Sequence, residues 1–175
     1  YSINVNNLKI NWFLNLNSSL DQDLGNLFYA KTIKIMNNRL IISTNNNFFI
    51  IDKLSGSYIF SSPIKSLVDP IKYGNNVFLL NNNNLLIALD ITDGKIIYSK
   101  FIEKEILSLL KLKKDKLKIR SIKLINNELS IFLDNSIIVT YNVRGKIKKA
   151  NFLDTKISSN IIFFNNNILF LDNKN

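Results

Sequence analysis

A strand–turn–strand pattern that recurs along the chain constrains its fold more than any bulk property. "FFIIDKLSGSYIF" (48–60) aligns without gaps on "LIALDITDGKIIY" (86–98), placing Asp52 on Asp90, Gly56 on Gly94 and Phe60 on Tyr98, an offset of 38 residues. A third, weaker copy is "IIVTYNVRGKIKK" (137–149), with Gly145 at the turn and Lys149 where the aromatic stands. "NNLKINWF" near the start reads as the tail of an earlier copy, with Trp12 at the aromatic position and Leu8 in place of glycine. Gly supplies a positive φ without steric cost, and Asp bonds the backbone amides of its own turn. Self-similarity at this period marks an architecture of repeated supersecondary units.

A second unit precedes each copy: "NNRLIISTNN" (37–46), "GNNVFLLNNN" (74–83), "NNELSIFLDN" (126–135) and "NNNILFLDNK" (165–174). Asn tolerates the left-handed conformation better than other residues with a Cβ, so the Asn pairs predict hairpin turns and the β-branched runs between them predict strands. Each repeat then reads as four strands, A to D. In the second repeat they are expected near 70–73, 77–80, 85–89 and 95–101. Four strands in about forty residues is the size of one β-propeller blade. Only 103–116 has helix-like spacing, with Ile106, Leu107, Leu110 and Leu112 on one side.

The predicted fold is therefore all-β, a partial propeller of about three and a half blades. The repeats are expected at about 1–30 (the end of a preceding blade), 31–68, 69–104, 105–156 and 157–175 (incomplete), with a basic insertion at 103–123. Residues 12–16 read as a strand D without its own A, B and C. Because a propeller closes with typically four to eight blades, the sequence reads as a piece of a longer chain, with further blades as its first partners. Exposed strand edges in such a piece favour aggregation or oligomerisation.

Chemistry is bounded by what the 175 residues contain. There is no Cys and no His, which excludes disulfides, thiolate nucleophiles, Ser-His-Asp triads and histidine metal clusters. The five glycines are isolated, so no phosphate-binding loop is present. Net charge is +10, yet Lys greatly outnumbers Arg, which occurs only as Arg39, Arg120 and Arg144. Sites built for phosphate favour the bidentate Arg fork, so the charge alone does not make this a nucleic-acid protein, and none is expected as a partner.

"ALDITDGKIIY" resembles the pyrroloquinoline-quinone-type (PQQ-like) repeat, whose pattern is Ala-x-Asp-x-x-Thr-Gly-x-x-x-Trp. Ala88, Asp90, Gly94 and Tyr98 fall at the pattern's positions, with Asp93 for Thr and Tyr98 for Trp. Asp52, Ser55, Gly56 and Phe60 match in the preceding copy. The resemblance implies that the aromatic four residues after Gly packs between neighbouring blades. Asp52, Gly56, Phe60, Asp90, Gly94, Tyr98, Gly145 and Trp12 are thus expected to hold the repeats together and not to do chemistry. It further implies a non-enzymatic, cofactor-free scaffold that binds proteins. The similar scaffolds serve outer-membrane β-barrel assembly in the Gram-negative periplasm.

Two alternatives stand beside this reading. One is a piece of a PQQ-dependent dehydrogenase, whose chemistry needs an acidic base, Ca²⁺ ligands and aromatic stacking on the quinone. Only one Trp and three Glu are present, and Asp21 and Asp23 in "LDQDLG" read more simply as a solvated loop. The other is an anion- or lipid-contacting module. Lys111, Lys113, Lys114, Lys116, Lys118, Arg120 and Lys123 crowd into thirteen residues where the repeat spacing lengthens from 38 to 51. No aromatic interleaves with them, which argues against stacking on single-stranded nucleic acid. Contact with a partner protein or an anionic surface is the functional reading of that run, and a lysine-guarded edge the structural one.

Overall fold

The computed structural model describes residues 1–16, 30–44, 46–112, 117–159, 161–164 and 167–171. Asp21, Asp23, Lys113, Lys114 and Lys116 lie outside them. Among the described residues, sixteen strands and one helix form three four-stranded sheets and two two-stranded ones. The N-terminal hairpin is β1 (Ser2–Ile3) and β2 (Ile10–Trp12). The first full sheet runs β3 (Ala30–Met36), β4 (Arg39–Thr44), β5 (Phe48–Asp52) and β6 (Tyr58–Ser62) in spatial order. The second holds β7 (Ile71–Tyr73), β8 (Asn76–Leu80), β9 (Leu85–Asp90) and β10 (Ile96–Phe101), close to the four strands read from sequence. After α1 (Ile102–Leu110) the third contains β11 (Ile119–Ile125), β12 (Glu128–Leu133), β13 (Ile137–Asn142) and β14 (Ile147–Phe152). A second hairpin, β15 (Ile162–Phe164) and β16 (Asn167–Leu169), follows.

The turns explain the meander. Between first and second strands the chain takes positive φ at Asn37 (54°), Gly74 (59°), Asn126 (49°) and Asn127 (60°). Such left-handed turns match the twist of the strands they join. Asn84 (58°) and Ser136 (64°) do the same between second and third strands. The Asn-rich punctuation of the sequence is therefore turn chemistry.

One expectation is corrected. The strand expected at 12–16 is β2, Ile10–Trp12, and it has a partner in β1. β1 was illegible because two paired residues, Ser2 and Ile3, carry no strand-length pattern. Within 103–123, the start of the stretch with helix-like spacing is α1, which Lys111 ends by entering the left-handed region (φ 52°), and the last residues belong to strand β11. Ile102 and Ile106 form the buried side of the helix, whereas Leu112 is exposed.

The chain divides into two compact units, one made of residues 1–82 and 87–98, the other of 83–86 and 99–175. In the first, Ile42, Phe49 and Ile51 form a cluster against which Leu14, Leu16 and Leu40 pack. In the second, Phe132, Ile138, Ile157 and Ile161 do so with Leu153, Phe163, Ile168 and Phe170. The second and third strands of each full sheet are nearly continuously buried, as β4, β5, β8, β9, β12 and β13 show. That is why their sequences are unbroken apolar runs and not alternating ones. None of the fourth strands has a fully buried residue: β6 is half-buried, and β10 and β14 are largely exposed.

Candidate functional site

The motif residues build one turn three times, and Gly145 closes a version of it that is one residue shorter. Gly56 N donates to Asp52 O at 2.9 Å and Gly94 N to Asp90 O at 2.9 Å, while Gly145 N donates to Asn142 O at 3.0 Å. At the first copy Leu8 N donates to Asn4 O at 2.8 Å. The side chain of the leading residue closes each turn from inside: Asp52 Oδ1 accepts from Leu54 N and Ser55 N, Asp90 Oδ1 from Thr92 N, Asn142 Oδ1 from Arg144 N and Lys146 N, and Asn4 Oδ1 from Asn6 N. Gly56, Gly94 and Gly145 hold φ of 73°, 75° and 77°, and Leu8 adopts the same region at 57°. The amides of Ser55 and Leu54, with the Arg39 guanidinium, hold the Asp52 carboxyl below the usual carboxylate range, the Ser55 amide most of all.

The aromatics of one copy meet the glycine of the next. A Cβ on Gly56 would lie 2.6 Å from Trp12 Cδ2, and one on Gly94 would lie 2.6 Å from Phe60 Cβ. Trp12 also donates from Nε1 to the carbonyl of Lys53 at 3.0 Å, inside the same turn. Only glycine leaves room for an aromatic face here, so turn and ring form one joint between successive sheets. Tyr98 packs near Phe78, with ring centroids 6.5 Å apart, and burial pushes its phenol up to about 12.

The basic residues separate into two kinds. Lys111 and Lys118 are exposed. Arg120 is engaged: its Nε lies 3.0 Å from Asp134 Oδ1 and its Nη1 donates to the Ser159 carbonyl at 3.3 Å. Lys123 is half-buried on β11, in register with Ser130. A cleft of about 430 Å³ brings Lys118 and Arg120 together with Asp134 and Lys156. Lys156 was missed in the sequence, since it stands well outside the lysine run and only the pairing of the third sheet brings it there.

A further polar group lies in the second unit. Lys100 Nζ contacts Glu105 Oε1 at 2.7 Å and donates to the Gly145 carbonyl at 2.9 Å. Tyr141 is fully buried, and its phenol is pushed up by that burial and then by the Glu105 charge. Lys100 thus ties the end of β10 to the third motif turn, and the helix supplies the carboxylate that holds the lysine.

Among the described residues, three four-stranded sheets with half-sheets before and after them, joined by Asp- or Asn-led turns that end in a left-handed residue, define an all-β partial propeller. Among solved structures the chain is similar to BamB from Moraxella catarrhalis, with a TM-score of 0.61 and 14% identity over 81% of this chain and 40% of that one. It is also similar to the quinohemoprotein alcohol dehydrogenase of Comamonas testosteroni (TM-score 0.53, 17% identity, 69% of this chain and 20% of that one) and to the computationally designed Ika8 protein (TM-score 0.53, 11% identity, 78% and 40%). At these identities the likeness is one of fold. The matches span two-fifths or less of the length of each of these chains. No family model matches, and no curated protein matches. No helix among the described residues is long and apolar enough to cross a membrane.

Proposed function

We propose that this chain is part of a non-enzymatic propeller scaffold that binds proteins at the periplasmic face of an outer membrane and serves the assembly of outer-membrane proteins. The observation that carries the reading is the match to BamB over 81% of the chain. It is supported by the use to which the motif is put, since Asp52, Gly56, Trp12, Phe60 and Gly94 are engaged in turns and in sheet-to-sheet packing. Partner contact falls to the exposed lysines, Lys111 and Lys118, together with Lys113, Lys114, Lys116 and Lys123, while Arg120 is held by Asp134. Loops and strand ends placed on a rigid β scaffold are where such contacts belong.

The test is capture in the native cell. A photoreactive residue replaces Lys118, the cells are irradiated, and the adduct is identified by mass spectrometry. A component of the outer-membrane β-barrel assembly machinery in the adduct supports the proposal. Absence of any protein adduct, or saturable calorimetric binding of PQQ with Ca²⁺ by the purified chain, overturns it in favour of another partner class or of the dehydrogenase reading.

A further inference from the structure

Positive charge is spread unevenly along the chain. The second unit holds 15 of the 23 Lys and Arg but 7 of the 13 Asp and Glu, a net charge of +8 against +2 for the first. Part of it converges on the cleft of about 430 Å³ that holds Lys118, Arg120, Asp134, Asn135 and Lys156. A second hollow, of about 260 Å³, shares Lys118, Asp134 and Asn135 with it and is otherwise lined by Leu107, Leu112, Leu117 and Leu133. A basic cleft and an apolar one thus adjoin, with three residues common to both.

The main chain holds both lysines in place and leaves their side chains unengaged. Asp134 N donates to Lys118 O at 3.0 Å, where β11 and β12 meet the cleft. Ile157, fully buried next to Lys156, donates its N–H to Ser136 Oγ at 3.2 Å. Arg120 is engaged, by Asp134 Oδ1 and the Ser159 carbonyl. Lys118 and Lys156 are exposed and have no ion pair among the described residues. At the apolar end, Leu112 N donates to Leu107 O at 3.1 Å across the left-handed Lys111, which fixes the exposed Leu112 at the hollow.

We propose that this double cleft takes an acidic segment of a partner protein, a carboxylate meeting Lys118 and Lys156 and an apolar side chain entering the leucine-lined hollow. The proposal rests on the scaffold reading for there being a partner protein, and adds what that partner presents. Two ammonium groups without counter-charges call for an anion, and the leucine surface beside them calls for an apolar group. Asp134 and Asn135 select the source of the negative charge. A phosphate group, of a lipid or a nucleic acid, has acceptors to offer and is repelled by the Asp134 carboxylate. A peptide brings carboxylates for the lysines and main-chain N–H groups for Asp134 and Asn135.

Fluorescence anisotropy on the 175-residue chain tests this, with a fluorescein-labelled Gly-Glu-Leu-Asp-Glu-Leu-Gly peptide as the probe. Saturable binding that weakens with added salt is expected. Lys118→Glu and Lys156→Glu should each lower affinity about tenfold, and Lys149→Glu, the same change of charge outside the cleft, less than about twofold. Leu112→Ser should remove the advantage of this peptide over one with Ser in place of Leu. All four positions are exposed, so the fold does not hang on them. Absence of binding overturns the proposal, as does an equal loss with Lys149→Glu. Tighter binding to phosphatidylglycerol vesicles or to a single-stranded oligonucleotide than to the peptide overturns it too. Each of those results leaves the scaffold reading standing. Peptide binding that obeys the variants, beside a cellular Lys118 adduct holding no outer-membrane assembly component, supports the cleft and overturns the scaffold's setting instead.

Discussion

Arg39 Nη1 lies 2.5 Å from Asp52 Oδ2, across the register pair that begins β4 and ends β5. The same guanidinium donates through Nε to the Ile91 carbonyl and through Nη2 to the Thr92 carbonyl, both inside the next motif turn. One side chain thus ties the closing carboxylate of one turn to the backbone of the following one. In the third sheet the equivalent pair is Glu128 with Asn142, and Glu128 bonds Lys148 instead. Where the motif acid has become neutral, its facing cation has gone too.

Asp52→Asn is therefore expected to be milder than Asp52→Ala. The amide keeps an oxygen for the Leu54 and Ser55 N–H groups, as Asn142 does in its own turn, and loses only the ion pair. Alanine leaves those donors and Arg39 without their acceptor. Urea midpoints should fall in the order native, Asp52→Asn, Asp52→Ala. Because the folded pKa of Asp52 lies below its unfolded value near 3.8, its contribution is present above that pH and is lost as pH falls through the folded pKa. The gap between native and Asp52→Asn should close in acid.

The glycines give a second expectation. Gly56→Ala and Gly94→Ala each impose a left-handed alanine and drive a methyl to within 3 Å of Trp12 or Phe60. Left-handed strain of about 1–2 kcal/mol and overpacking of about 1–3 kcal/mol together give roughly 2–5 kcal/mol. Gly74→Ala carries only the strain, since nothing stands within 4 Å of its Cβ position. It should cost about 1 kcal/mol. Equilibrium denaturation of the three variants separates the two effects, and equal losses at all three would remove the aromatic joint from the account.

Leu8 is the inverse case. It occupies the position of the motif glycine at φ 57° and is 78% exposed, so it holds a strained backbone and buries little in return. Leu8→Gly is expected to stabilise the first unit by about 1 kcal/mol, the left-handed penalty less the extra chain entropy of glycine. The measurement is the urea midpoint, read at Trp12, the one tryptophan of the chain, which sits four residues on.

These sites show which parts of the fold were legible in the sequence. The turn chemistry was readable because Asp52, Ser55 and Gly56, or Asp90, Thr92 and Gly94, act on their own neighbours, and local hydrogen bonding leaves a local pattern. The double-sided burial of β4, β5, β8 and β9 was readable as unbroken apolar runs. Arg39 reaching Thr92, Arg120 reaching Asp134 and Lys156 joining Lys118 were not, because each depends on how strands register, and side-chain type alone does not carry register. The lysine run looked like one feature in sequence. The structure divides it, with Lys111 ending a helix and Arg120 and Lys123 on a strand.

The half-buried Tyr98 and the buried Tyr141 make the fold sensitive to alkali. Burial raises Tyr98 to about 12, and it raises Tyr141 as well, with the Glu105 charge adding to the effect. A phenol whose folded pKa exceeds its unfolded value near 10 stabilises the fold fully below pH 10, and that contribution drains away as pH rises through the folded value. Tyr98 therefore predicts a falling urea midpoint between pH 10 and about 12, and Tyr141 adds to the loss in alkali. Tyr98→Phe should flatten the fall in that window, and Tyr141→Phe should lessen the alkaline loss further, because a phenylalanine has no proton to lose. The check is a set of urea melts at stepped pH for native and both variants. A native midpoint unchanged to pH 12 would mean that solvent reaches these rings and that the sheets around them pack less tightly than Phe78 and Glu105 imply.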